Sequence, residues 1–311
     1  MDSIFVHSFA RFGKGTPFKD ENRDKAFSVM LSRGIQKGYE TYLSDYKSYN
    51  KRKKELKKAW IFEDGKWKKV KNKKVSLFYY HGKTRDIYDE CKKIKKIINL
   101  PTLNHLELEQ VCDDKLLTFN IFPDLSPRTF VVNDFYELQR VVNYIRSDKI
   151  VLKPRFGSYG RGVVVLDKRR LTNGIKKDTI VQEFVDSSKG VLNIKKVHDF
   201  RIIVIDGKIN HAYLRIPKNG SLICNASLGA DKIFIENEEI PYSILKRVKN
   251  IDKHLRHYGP RVYSADFAVD ENRKPWLIEL NSKPGMIFYD KAPELRTKYF
   301  DSLYKSFNKL L

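Results

Sequence analysis

Two carboxylates and an amide in the C-terminal part of the chain carry the clearest sign of chemistry. The string RVYSADFAVDENRKPWLIELNSKPG predicts a hairpin whose turn puts Val269 opposite Trp276. In that register Asp266 lies opposite Glu279, and Asn281 follows two residues later on the same face. Opposed carboxylates repel unless a cation lies between them. Three oxygen donors suit Mg²⁺, which bridges protein carboxylates to nucleotide phosphates.

The other face of this hairpin is apolar, because Phe267 would face Ile278 and Ala265 would face Leu280. A simpler interpretation makes the carboxylates a solvated polar face, bridged by one of the many lysines. The uniformly apolar back face favours the metal site.

A glycine-rich segment, VLKPRFGSYGRGVVVL, joins two β-branched runs and predicts a strand–loop–strand hairpin. Walker and dinucleotide loops need a helix directly after the glycines, and VVVL is a poor helix start. We therefore expect a flap whose N–H groups close over phosphates, with Lys153 before it and Arg155 and Arg161 as further donors. A plain tight turn remains an equal alternative. The flap residues are Gly157, Ser158, Gly160 and Gly162.

The short apolar strand that ends at Val185 could offer main-chain groups to an adenine edge. Glu183 could add a polar contact and Asp186 could take a ribose hydroxyl. An ordinary core strand with one exposed glutamate fits the composition equally well.

A further hairpin turns at Asp206-Gly207. A two-residue turn puts Asp199 and Arg201 on one face, with Arg215 on the other face unless a bulge intervenes. Arginines near a transferring phosphoryl group stabilise its charge, although surface arginines are common in a chain this basic.

The net charge of +23, from 61 basic and 38 acidic residues, predicts attraction to an anionic partner. Much of the excess lies between Lys47 and Lys74, where a solvated lysine-rich face is the simpler interpretation. Zinc-finger and RNP1 patterns are absent from the sequence, so nucleic acid is not an expected partner.

The three cysteines Cys91, Cys112 and Cys224 lie far apart, which indicates reduced thiols. His198 and His211 have no Cys or His neighbour at metal spacing and are interpreted as structural. The sequence shows no basic leader and no apolar run near 20 residues, so we expect a cytoplasmic protein without a membrane span.

The length predicts two or three lobes. We place an N-terminal α/β lobe at 1–110, a central subdomain with the flap at 111–181, and a C-terminal subdomain with the metal site at 182–311. Within the first lobe we expect a charged helix near 35–58, a strand at 75–81 and a helix at 85–99.

The order of these motifs resembles the ATP-grasp superfamily, closest to ribosomal-protein glutamate ligases, amino-group-carrier ligases of lysine biosynthesis and spore-coat-associated ATP-grasp proteins. The resemblance covers about 114–285 and implies an α+β fold of two subdomains that grip ATP. It implies phosphate binding by Lys115, after Asp114, and by Lys153. It also implies an adenine-binding hinge formed by Gln182, Glu183, Phe184 and Val185. The metal ligands that it implies are Asp266, Glu279 and Asn281.

The resemblance further implies that Asp199 and Arg201 form the family's Asp-x-Arg and that Arg215 contacts phosphate or substrate. The family's Asn-x-x-Arg-Gly-Gly segment reads NASLGA here. Asn225 is kept, whereas Leu228 replaces the arginine and Ala230 the second glycine, so the charge on the substrate side is left open.

The implied activity is that of an ADP-forming carboxylate–amine ligase using ATP and Mg²⁺, with Mn²⁺ as a substitute. Its substrates would be a small-molecule or peptide carboxylate and an amine, with an acidic acceptor protein as one option. An ATP-grasp kinase and a non-catalytic polyanion-binding protein are the alternatives. The oligomeric state is open.

Overall fold

A computed structural model of the chain describes two compact units. The described residues are 2–13, 15–82, 84–157, 160–189, 191–192, 194–218, 220–225, 229–286 and 292–311. The first unit comprises 1–109, 256–262 and 283–311, and the second comprises 110–255 and 263–282. The last segment thus joins the first unit, and the three-lobe division stays a prediction.

The described part of the chain contains 18 strands and seven α-helices. The strands are β1 (Ser3–His7), β2 (Glu40–Ser44), β3 (Tyr49–Asn50), β4 (Glu55–Leu56), β5 (Ala59–Glu63), β6 (Lys66–Val70), β7 (Lys73–Lys74), β8 (Leu77–Tyr80), β9 (Thr102–Leu103), β10 (Thr129–Val132), β11 (Lys149–Pro154), β12 (Val164–Asp167), β13 (Thr179–Glu183), β14 (Asp199–Ile205), β15 (Lys208–Ile216), β16 (Asp231–Ile235), β17 (Val262–Val269) and β18 (Pro275–Asn281). The helices are α1 (Glu21–Gln36), α2 (Ile87–Ile97), α3 (Leu106–Asp113), α4 (Lys115–Ile121), α5 (Phe135–Val141), α6 (Tyr242–Leu255) and α7 (Pro293–Asn308).

The first unit is built on a six-stranded sheet in the order β6-β5-β2-β1-β8-β9. Four successive strands of this sheet, β2, β1, β8 and β9, pair in parallel, and every residue of β1 and β8 is buried. Continuous apolar strands of this kind belong in a sheet covered on both faces. A second, three-stranded sheet has the order β3-β4-β7.

The predicted helix near 35–58 is wrong. Helix α1 ends at Gln36, and the chain continues as β2, a short 3₁₀ segment, β3 and β4. Tyr42, Leu43 and Leu56 are buried in the strands, while the charges of 51–54 lie in a turn and follow no helical period. The predicted strand at 75–81 and helix at 85–99 are confirmed as β8 and α2.

The second unit contains two sheets built from antiparallel hairpins. One has the order β10-β13-β11-β12 and packs its apolar side against α5, where Val132, Leu138, Ile150 and Val181 are buried. The other has the order β16-β15-β14-β17-β18. Both hairpins predicted here exist, since β14 pairs with β15 and β17 pairs with β18.

None of the helices in the described part of the chain combines the length and the apolar character that a bilayer crossing requires.

Candidate active site

A cleft in the second unit gathers most of the predicted site residues. It is bounded by side chains from both sheets and measures ≈ 960 Å³ when the space open to solvent is included. The predicted residues that line it are Lys115, Lys153, Gly157, Gly160, Arg161, Gln182, Glu183, Phe184, Val185, Asp199, Arg215, Asn225, Asp266 and Glu279.

Lys115 is aimed into the cleft by the start of α4. The carboxylate of Asp114 caps this helix by accepting from the N–H groups of Leu116 and Leu117. Lys115 is therefore the first helical residue, and it is 7% exposed. Its Nζ donates to the Gly157 carbonyl at 2.7 Å and lies 3.3 Å from Oε1 of Glu279. This lysine thus links the flap to a predicted metal ligand.

Lys153 lies on β11 and is almost completely buried, at 5% exposed. Its Nζ donates to Oε1 of Gln182 at 2.8 Å and to the Ile278 carbonyl at 3.1 Å, and lies 4.9 Å from the centre of the Phe119 ring. Burial lowers the pKa of Lys153 to about 7, and the charge of Lys115 also lowers it, while Glu279 opposes the shift. An anion brought beside this amine would favour its charged form.

The flap is the predicted strand–loop–strand hairpin, because β11 pairs antiparallel with β12. Gly157, Gly160 and Gly162 have φ values of 115°, 67° and 73°, where side chains are strained. Gly162 does not line the cleft, and Ser158 lies outside the described residues.

The expected role of Arg155 as a phosphate donor receives no support from its placement. Its Nε and Nη2 donate to the two oxygens of Asp114, at 2.8 and 2.6 Å. Asp114, which is fully buried, thereby ties the strand before the flap to the cap of α4. Arg161, in contrast, does line the cleft.

The hinge segment follows β13. Glu183 turns its carboxylate to the main-chain N–H groups of Arg146 and Ser147, at 2.8 and 3.1 Å, so its side chain fixes a loop. Gln182 accepts from Lys153. Asp186 is not among the cleft-lining residues, and its carboxylate accepts from the Ser188 N–H at 2.9 Å.

A bulge decides the position of Arg215. The hairpin β14–β15 has a register shift between Ile203 and Val204, so Asp199 pairs directly with Arg215. The arginine therefore shares the face of Asp199 and Arg201, which was the open alternative in the sequence. Arg215 donates to both Asp199 oxygens, from Nε at 2.7 Å and from Nη2.

Asp266 lies at the centre of this face and is 1% exposed. Arg201 donates to its two oxygens at 2.7 and 2.5 Å, and Arg215 adds a bond to Oδ2 at 2.6 Å. Burial acts to raise the pKa of Asp266, but the two arginines outweigh it and hold this pKa below its ordinary value. For Asp199 burial prevails over Arg215 and raises the pKa to about 6.

In the carboxylate hairpin Asp266 pairs with Glu279 as predicted, although the register between this pair and the turn differs from the prediction. The turn places Val269 opposite Pro275 and Phe267 opposite Leu277, so the predicted pairs with Trp276 and Ile278 are wrong. A register shift between Asp266 and Phe267 then restores Asp266 opposite Glu279 and Ala265 opposite Leu280. Ile278 consequently faces the cleft with Glu279.

Asn281 pairs with Ser264 at the end of β18 and is not among the cleft-lining residues. No group of three or more His, Cys, Asp or Glu side chains placed to hold a metal ion occurs among the described residues. The candidate metal ligands are therefore the carboxylates of Asp266 and Glu279 and the amide of Asn281. Asn225 lies in the cleft, and its main-chain carbonyl accepts from the Ala230 N–H at 3.2 Å. Leu228 lies outside the described residues.

The sequence analysis missed Phe119, which packs against the Lys153 ammonium. Phe119 follows Lys115 by four residues on α4. The i, i+4 spacing that puts both on one helix face was therefore a usable signal.

Residues 114–297 match the RimK-like ATP-grasp domain, and the chain belongs to that family. Among curated proteins it is similar to the probable alpha-L-glutamate ligase of Shewanella pealeana, 23% identical over 200 residues, which are 61% of this chain and 40% of the relative. The corresponding protein of Legionella pneumophila strain Corby is 25% identical over 168 residues, 51% of this chain and 50% of the relative. The chain thus spans about half the length of these relatives or less.

Solved structures show the same fold. D-alanyl-alanine synthetase A from Vibrio cholerae superposes with a TM-score of 0.62 at 12% identity, covering 99% of this chain and 98% of that one. A RiPP-associated ATP-grasp ligase from Chryseobacterium gregarium gives 0.61 at 16% identity, covering 98% and 97%. The α+β ATP-grasp fold predicted from the sequence is confirmed.

Proposed function

We propose that this protein is an ADP-forming carboxylate–amine ligase that uses ATP and Mg²⁺. The observation that carries the proposal is the convergence of Lys115, Lys153 and the glycine flap on Glu279 and Asp266 within one cleft. Family membership favours ATP as the nucleotide.

The nucleotide would lie with its base at the segment Glu183–Val185 and its phosphates under the flap. The main chain beyond β13 offers donors and acceptors to a purine edge, while the glycines let the flap approach the phosphates closely. Lys115 and Lys153 would hold phosphate oxygens. Lys153 would then exchange its present carbonyl and amide acceptors for an anion.

These oxygen donors suit Mg²⁺ better than a metal ion that takes all of its ligands from the protein. Mg²⁺ commonly binds through one or two carboxylates plus phosphate oxygens and water, so Asp266 and Glu279 suffice, with Asn281 as a third donor. Asp266 must loosen its pairing with Arg201 and Arg215 to serve. The phosphates of a bound nucleotide would supply new hydrogen-bond acceptors for those two arginines. Bound Mg²⁺ would neutralise charge on the phosphates, and Mn²⁺ would be a workable substitute.

The reaction would occur in two steps. A substrate carboxylate oxygen attacks the γ-phosphorus of ATP, the bond to ADP breaks, and an acylphosphate forms. An amine nitrogen then attacks the acyl carbon, phosphate leaves, and the nitrogen loses a proton to give the amide. Arg201 and Arg215 would stabilise charge on the transferring phosphoryl group, Asn225 would orient the acyl group, and the flap would exclude water.

The substrate class follows from the relatives. Two are named probable alpha-L-glutamate ligases, one neighbour was solved with ADP and a leader and core peptide, and another with a minimal precursor, Mg and ADP. We propose a peptide or small-molecule carboxylate and an amine as substrates, in the cytoplasm.

The test is a screen of amino acids and acidic peptides for ATP-dependent phosphate release, with mass spectrometry of the products. A mass increase equal to the amine less one water, obtained only with ATP, is the expected result. A product heavier by one phosphoryl group, formed without any amine and stable to hydroxylamine, would identify the kinase alternative, because hydroxylamine cleaves an acylphosphate but not a phosphate monoester. The Glu279→Gln variant should abolish turnover, and unchanged turnover in this variant would contradict the assigned site.

A further inference from the structure

The first unit carries a dense group of cations on its three-stranded sheet and the end of α2. We call this group the basic platform, and it consists of Lys51, Arg52, Lys53, Lys54, Lys74 and Lys96. All six residues are exposed. The first four form the turn between β3 and β4, Lys74 lies on β7, and Lys96 lies in the last turn of α2.

Hydrogen bonds link these segments to one another. Lys51 Nζ donates to the Lys96 carbonyl at 3.2 Å, and Lys74 Nζ donates to the Lys53 carbonyl at 2.6 Å. The Tyr49 hydroxyl donates to the Asn99 side chain at 2.6 Å. The turn, β7 and the end of α2 therefore form one continuous surface.

The platform keeps most of its charge. The acceptors of Lys51 and Lys74 are neutral carbonyls, which do not cancel an ammonium charge. Within the strands of this small sheet Glu55 is the acidic residue, and it lies 3.8 Å from Lys53. Six cations around one carboxylate give a local field that attracts an anionic partner and speeds its association.

The kind of anion follows from the side chains. Five of the six cations are lysines, whose compact ammonium groups on flexible stems can follow a run of carboxylates without a fixed geometry. Tyr49, the aromatic residue of the sheet, is 6% exposed and cannot serve as a stacking platform for single-stranded bases. A flexible run of carboxylates needs no such stacking surface.

We propose that the basic platform docks an acidic peptide segment of the carboxylate substrate. This inference rests on the proposed ligase function and deepens it, because it assigns the substrate a run of Asp or Glu residues outside the reacting group. The docking surface would act on the affinity for the acceptor and leave the nucleotide site unchanged.

The experiment measures binding of a fluorescein-labelled decaglutamate peptide by anisotropy at several salt concentrations. The platform variant carries Lys51→Gln, Lys54→Gln and Lys96→Gln. A matched control carries Lys246→Gln, Lys249→Gln and Lys253→Gln, three exposed lysines of α6, and so has the same net charge. We expect the platform variant to bind about tenfold more weakly with a smaller salt dependence, and the control to stay within about twofold of the wild type.

Equal weakening in both variants would mean that net charge alone attracts the peptide, and it would overturn the proposal, as would an unchanged platform variant. A labelled ten-residue oligothymidylate that binds more tightly than decaglutamate, and loses affinity only in the platform variant, would identify nucleic acid as the partner and overturn it too. Peptide binding needs no turnover, so failure of the ligase assay with intact platform binding would remove the proposed function alone.

Discussion

Arg201 holds Asp266 through two hydrogen bonds, from Nε to Oδ1 at 2.7 Å and from Nη2 to Oδ2 at 2.5 Å. A divalent cation at Asp266 must therefore compete with a guanidinium group for the same oxygens. Nucleotide phosphates can relieve this competition, because they offer the arginine another anion. Metal and nucleotide binding should be coupled through this pair.

The first prediction concerns Arg201→Gln. Removing the competing cation should strengthen binding of Mn²⁺ alone by about tenfold, equivalent to roughly 1.4 kcal/mol, and should weaken binding of ADP. Isothermal titration calorimetry measures both affinities. Arg33→Gln is the matched control, since Arg33 holds Asp301 in the same two-bond geometry, at 2.6 and 2.8 Å, in the first unit. A loss of Mn²⁺ affinity in Arg201→Gln would contradict the competition.

The second prediction separates stability from function at the two carboxylates. Asp266→Asn leaves the buried Arg215 and the partly buried Arg201 without their shared anion and should lower the free energy of unfolding by about 3 kcal/mol. Glu279→Gln should lower the free energy of unfolding by less than about 1 kcal/mol, because the Glu279 side chain is 27% exposed. Urea denaturation gives both values, and both variants should lose turnover. Equal destabilisation would refute the buried-network account.

The third prediction concerns the pH dependence that Lys153 imposes. Its pKa is about 7 in the folded protein against an ordinary value of 10.5. Between these values the unfolded chain holds a proton that the folded chain lacks, so the free energy of unfolding should rise with pH across this window. Lys153→Met should flatten that rise. A slope unchanged by Lys153→Met would show that other groups control it.

The fourth prediction follows from the same amine. An anionic nucleotide favours charged Lys153, so ADP binding near pH 8 should take up a proton. Calorimetry in buffers of different ionisation enthalpy measures this uptake, which should reach about half a proton or more in the wild type and vanish in Lys153→Met. Proton release on binding would have the wrong sign for this mechanism.

The fifth prediction concerns the flap backbone. Gly162 has a φ of 73°, and a Cβ there would lie 3.0 Å from Pro154 Cγ. Gly162→Ala should cost about 1–2 kcal/mol of stability and weaken ATP binding, because the flap changes shape. Gly174→Ala is the control, with a φ of 104° and no heavy atom within 4 Å of the added Cβ. The control variant should strain the backbone but keep the wild-type affinity for ATP. Equal losses of ATP affinity in the two variants would contradict a specific role of the flap in ATP binding.

Local patterns determined the elements that carry the site. Strand-like runs on both sides of a turn, as at Asp206-Gly207, identified the hairpins, alternation placed Asp266 and Glu279 on one face, and the β-branched run after the glycines excluded a helix. The charged stretch at 35–58 misled the sequence analysis, because lysines in a turn have no period of their own and the short strands beside them are held by distant partners. Glu183 and Arg155 were predicted from their residue types to contact the nucleotide. In the structure the Glu183 carboxylate accepts from a loop, and Arg155 donates to the residue that caps α4.

The sequence by itself determined that Asp266, Glu279 and a lysine ahead of a glycine hairpin belong to one nucleotide-binding fold. Only the tertiary structure decided that Arg215 joins Asp199 and Asp266, and that Ile278 turns into the cleft. The physical reason is the β-bulge. One extra residue in a strand moves every later side chain to the other face, and whether it forms depends on cross-strand pairing and buried charges that a single sequence does not display.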